Sequence, residues 1–112
     1  MSMSRSVSTI KLLVAKELEA VPAPCREQLA KRLIEPRFQA LSWEYGALDD
    51  TRLCCVVAEG DGDHALVYCE DGFSPYETWG AVSLLEASMG SDDQWYTSLY
   101  DAAIGAGLCG GH

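Results

Sequence analysis

The chain has 112 residues, 48% of them hydrophobic and 22% charged, and a net charge of −9. That size makes a single domain with its own core, 1–112, and leaves no need for a disulfide or metal to hold a fold. No apolar run approaches the ~18 residues of a membrane-crossing helix, and the acidic surplus sets most of the surface against nucleic acid.

In chain order, residues 1–7 read as a flexible tail. Ile10, Leu13, Val14, Leu18 and Val21 recur at helical spacing, and Ser8 or Thr9 offers a cap, so residues 9–20 are expected to form an amphipathic helix. Lys11, Lys16, Glu17 and Glu19 interrupt the apolar core that a signal peptide would need there, so the chain reads as cytoplasmic. Pro22 and Pro24 end the first helix. Pro24 suits the first turn of a second, "PCREQLAKRLI", with Cys25, Leu29 and Leu33 at four-residue steps and Pro36 as its stop. From Arg37 the period shortens. Leu41, Trp43 and Tyr45 alternate with Ala40, Ser42 and Glu44, as in a strand.

Two β-rich runs, "TRLCCVVAE" and "HALVYCE", flank Asp61-Gly62, a dipeptide suited to a tight hairpin turn. The expected register sets Glu59 opposite His64, Val57 opposite Leu66, Cys55 opposite Tyr68 and Cys54 opposite Cys69. One face then carries Cys54, Val56, Ala58, Ala65, Val67 and Cys69, and is the expected core. The other face, with Cys55, Val57, Leu66 and Tyr68, is also apolar, which fits strands central in a sheet or a face that meets something else. "DGFSPYETWG" reads as a loop and "AVSLLE" as a further short strand. Ser91 and Gln94 have capping-box spacing, and Trp95, Leu99, Ala102, Ala103 and Ala106 fall on one stripe of a C-terminal helix. Tyr100 and Ile104 lie off that stripe. Residues 108–112 read as a second flexible tail. The expected architecture is α+β, a small antiparallel sheet of three or four strands with the N-terminal helices and the C-terminal helix packed on one face.

The charge is unevenly spread. Residues 1–37 hold seven basic and four acidic side chains, a net +3. Residues 38–112 hold only Arg52 against thirteen acids, a net −12. Such a surface attracts and steers a basic partner.

Chemical motifs are sparse. The five cysteines include no C-x-x-C pair and are expected as reduced, mostly buried thiols. Counted from the turn, Cys54 and Cys69 fall at a hydrogen-bonded site, where strands sit further apart and a disulfide is disfavoured. Glu59, Asp61, Asp63 and Glu70 match calcium-loop positions 1, 3, 5 and 12, but His64 stands where the loop needs glycine and strands flank it instead of helices. His64 is also remote from the Cys54–Cys69 pair along the ladder. Cys109 and His112 have C-x-x-H spacing in a glycine-rich tail. Phosphate-binding glycine loops are missing from the sequence.

No cofactor is expected. The leading expectation is a non-catalytic acidic module that binds a basic protein, an inhibitor of the immunity, antitoxin or anti-defence kind. Asp49, Asp50, Glu59, Asp61, Asp63, Glu70, Asp71 and Tyr100 are the candidate contacts. The alternatives are a self-associating structural or regulatory subunit, such as a homodimer, and a small thiol or metal-dependent enzyme using Cys55 or His64.

Overall fold

The structure, a computed structural model, describes residues 7–42, 51–60, 64–69, 77–85 and 94–108. Helix α1 spans Val7–Glu19 and turns Ile10 and Val14 inward, while Leu12 stays 72% exposed. Ala20 N–H and Val21 N–H donate to Glu17 O and Leu18 O, tightening the last turn ahead of Pro22. Helix α2, Ala23–Ala30, starts beneath Pro22 with Pro24 in its first turn, where a missing N–H costs nothing. Cys25 and Leu29 are its buried residues.

The second helix is shorter than its apolar spacing predicts. Leu33 and Ile34, expected on α2, open strand β1, Leu33–Ser42. Leu33 pairs with Ala58, and Arg32 O accepts from Glu59 N–H at 2.9 Å. Pairing with a strand more than twenty residues away overrides a local period that suited either state. Pro36 therefore lies inside a strand. It sits in an irregularity between Leu33 and Arg37, where the register slips and no ladder N–H is required.

Five strands, not three or four, form one antiparallel sheet in the order β1-β2-β3-β4-β5. The others are β2 Thr51–Glu59, β3 His64–Tyr68, β4 Trp79–Ser83 and β5 Trp95–Tyr96. The β2–β3 register follows the sequence at Cys55 opposite Tyr68. Nearer the turn it departs by one residue. Ala58, not Val57, pairs with Leu66, and Glu59 pairs with Ala65. Gly60 N–H donates to His64 O at 2.8 Å. The extra residue is a bulge at Val57–Ala58. It sends both side chains to the same face, and both join the helix-covered core.

Both faces of the sheet are buried. Cys55, Val57, Leu66, Tyr68, Trp79 and Ala81 pack under Ile10 and Val14 of α1, Leu29 of α2 and Leu99, Ala102 and Ala103 of the third helix. Tyr68 and Trp79 tilt against each other with ring centroids 4.8 Å apart. On the opposite face Leu41, Cys54, Val56, Ala65, Val67, Cys69, Val82 and Trp95 form a second cluster.

That third helix, α3, spans Leu99–Gly105. It begins later than the Ser91–Gln94 spacing predicts. Ser91 lies outside the described residues, and Trp95 and Tyr96 pair with Gly80 and Trp79 as β5. Ser98 is the true cap, its hydroxyl accepting from Asp101 N–H at 3.1 Å. Trp95 is buried as expected, but through strand geometry and on the face away from the helices. Leu108 N–H and Gly107 N–H donate to Ala103 O and Ile104 O, with Gly107 at φ 75°, a left-handed stop that glycine adopts without strain. Leu108 is buried, so the chain is anchored one residue into the expected tail; 109–112 lie outside the described residues.

Candidate functional site

Of the eight candidate contacts, Glu59 and Tyr100 are described; Asp49, Asp50, Asp61, Asp63, Glu70 and Asp71 lie outside the described residues. Glu59 ends β2 and is exposed. Its carboxylate is 3.3 Å from Arg37 Nη1 on β1, so it is already engaged by a cation of its own fold. Tyr100 lies half-buried on α3, off the Leu99–Ala102–Ala103 stripe, and Ile104 beside it is 50% exposed.

The thiols are placed by the ladder. Cys69 N–H donates to Thr78 O of the β4 side, so toward β2 its backbone is turned away. Cys54 and Cys69 therefore occupy a non-hydrogen-bonded position, where side chains come closer, rather than the hydrogen-bonded one expected from the turn. The bulge at Val57–Ala58, together with closure at Gly60 and His64, changes the count. The two thiols are hydrogen-bonded to each other, and this contact, followed by burial, pushes the Cys54 thiol well up, with Arg52 acting in the opposite direction. Cys69 Sγ donates its one proton to Leu53 O at 3.5 Å, and the single Cys54 proton is shared between Cys69 Sγ and Arg52 O, the latter at 3.8 Å. Cys55, on the helix-covered face, is pushed up to about 11 by burial. Protonated thiols walled from solvent are poor nucleophiles.

Cys54, Cys55 and Cys69 are free, as expected. Cys25 is not: it is disulfide-bonded, which corrects the expectation of reduced thiols throughout. Among the described residues no group of three or more His, Cys, Asp and Glu side chains is placed to hold a metal.

A cavity of about 240 Å³ opens between α1 and β1, walled by Val14, Ala15, Leu18, Leu33, Pro36 and Val57. Lys11 is its polar member, and its ammonium sits 2.9 Å from Glu35. Sequence spacing gave no sign of this cavity, because Leu33 and Pro36 read there as the end of a helix. Nor did it show the Arg37–Glu59 pair, whose partners are twenty-two residues apart.

The chain matches no family model, no curated protein and no solved structure.

Proposed function

We propose that the protein is a non-catalytic acidic binding module that blocks a basic surface of another protein. The observation that carries this reading is the charge layout, a net −12 on residues 38–112 with Arg52 as their sole basic side chain. The arrangement of the described side chains agrees with it. The thiols and the aromatics Tyr68, Trp79 and Trp95 face inward, while charge faces out at Glu59 and Asp101. An acidic surface of this kind speeds encounter with a basic partner and rejects acidic ones. Asp49, Asp50, Asp61, Asp63, Glu70 and Asp71 are the proposed contacts.

The test is native mass spectrometry of the tagged protein recovered from its own host at low salt. A stoichiometric basic partner is expected, with affinity falling about tenfold or more as salt rises to physiological strength. Asp61→Asn with Asp63→Asn, set against Asp49→Asn with Asp50→Asn, Glu70→Gln and Asp71→Asn, identifies which of these acids bind. A complex indifferent to salt and to both sets of changes overturns the proposal.

A further inference from the structure

The two edges of the sheet are unlike. β5 is a two-residue edge, too short to template another strand, whereas β1 is a ten-residue edge. The pairing pattern fixes which backbone groups of β1 look outward. Tyr68 faces β2, because its neighbour Cys69 donates toward β4, so Cys55 bonds to β3 and Cys54 to β1. Gln39 and Leu41, opposite Cys54 and Arg52, then bond to β2. Phe38, Ala40 and Ser42, opposite Cys55, Leu53 and Thr51, turn their N–H and C=O groups to the open edge. Among the described residues nothing pairs with them there. Upstream, Pro36 and the irregularity between Leu33 and Arg37 blunt the edge; from Phe38 to Ser42 there is no proline and no charge. Phe38 is 37% exposed at this edge and Ala40 is exposed beside it.

We infer that this edge pairs with the same edge of a second copy, joining two five-stranded sheets through β1. The pattern is self-complementary about Ala40. In an antiparallel β1–β1 pairing centred there, Phe38 meets Ser42 of the second copy, Ala40 meets its own counterpart, and Ser42 meets Phe38. All three outward residues of each chain are used, in about six hydrogen bonds at two per narrow pair. Pro36 falls outside the pairing, where its missing N–H does no harm, whereas centring on Phe38 would set Pro36 against Ala40 and lose a donor. The smallest side chain lies on the two-fold axis. The paired segment, Phe38 to Ser42, carries no charge that could meet its like, and Glu35 and Arg37 upstream of it are each paired within the fold, to Lys11 and Glu59.

This surface is independent of the acidic contacts proposed above, and salt separates the two. Chains of −9 repel, so a dimer held by backbone pairing tightens as salt rises, while a basic partner is released. The experiment is sedimentation equilibrium of the full chain at about 0.05 M and about 0.5 M salt, with residue-resolved amide exchange. A dimer is expected, stronger at the higher salt, with the Phe38, Ala40 and Ser42 amides protected in step with dimer fraction. Ala40→Lys sets two ammonium groups across the axis at an exposed position and is expected to weaken the dimer about tenfold or more while leaving the monomer's circular dichroism unchanged. Ala40→Pro, which deletes the central donor, is expected to act likewise. A chain that stays monomeric at about 1 mM, a range in which only very weak pairing escapes, overturns the inference. So does a dimer that Ala40→Lys leaves intact, or one in which these three amides exchange freely.

Discussion

The two faces of the sheet reach the same burial by different means. Under the helices the core is spread over many large side chains: Leu66, Tyr68 and Trp79 from the strands, and Ile10, Leu29 and Leu99 from the three helices. Among the described residues the opposite face is built from small and branched side chains, Cys54, Val56, Ala65, Val67, Cys69 and Val82, together with the aromatic Trp95 from a two-residue strand. That indole lies over Gly80. A Cβ added at Gly80 would stand 2.8 Å from the Trp95 ring. Among the described residues, one face thus shares its packing among several large side chains, while the other sets one ring closely against a bare backbone.

Gly80→Ala is the sharpest way to break that comparison. Alanine is better tolerated than glycine within a strand, so any loss comes from displacing Trp95 in a packed core, an overpacking cost of ~1–3 kcal/mol. Urea unfolding of Gly80→Ala, Trp95→Phe and the double variant measures it. The smaller ring makes room for the methyl, so the double variant is expected to be more stable than the sum of the singles. Additivity within ~0.5 kcal/mol, the usual result for sites that do not touch, would show that the ring and Gly80 are not in contact.

The helix-covered face has a different dependence, on α1 holding α3. Glu17 of α1 accepts from Leu99 N–H at 2.9 Å, at the first turn of α3, where the backbone donors have no intrahelical partner and the helix dipole favours an anion. Leu99 is fully buried, so water cannot replace the carboxylate there. Glu17→Ala is expected to cost ~1 kcal/mol, as loss of a cap does, and to speed exchange of the Leu99 amide. Glu17→Gln keeps the acceptor and should recover part of both. Unchanged Leu99 protection in Glu17→Ala would place the cap elsewhere.

These particulars show where the sequence is legible. The hairpin could be read because its signals are local: two β-rich runs, a turn dipeptide, and a two-residue alternation that sets Cys55 opposite Tyr68. The bulge could not, because it answers to the helix layer, which takes both Val57 and Ala58. Leu33 and Ile34 fit a helix and a strand equally, and only the distant partner Ala58 decides between them. Trp95 satisfies the stripe of a helix that in fact starts at Leu99, so its burial was legible and its face was not. Of the candidate contacts, the acids were legible as composition, while the engagement of Glu59 by Arg37 depends on a strand pairing that no local pattern announces.

The smallest effect separates the thiols of the two faces, and it appears only in alkali. Cys55 is isolated beneath the helices, and burial alone raises it from 9.0 to about 11. Above pH 9 the unfolded chain releases this proton while the folded chain keeps it. Ionisation therefore favours unfolding, and the Cys55 contribution to stability is complete below pH 9, declines from 9 to 11 and levels off beyond. Cys54 is raised as well, first by its hydrogen bond to Cys69, so the wild-type decline mixes both faces. Stability measured against pH in Cys55→Ala should fall less steeply than wild type across that window, whatever its absolute value. Replacing Cys54 and Cys69 by valine should leave the Cys55 share of the slope in place. Parallel wild-type and Cys55→Ala curves from pH 9 to 11 would mean that the thiol meets water in the folded chain, and that the helix-covered face is open where the structure closes it.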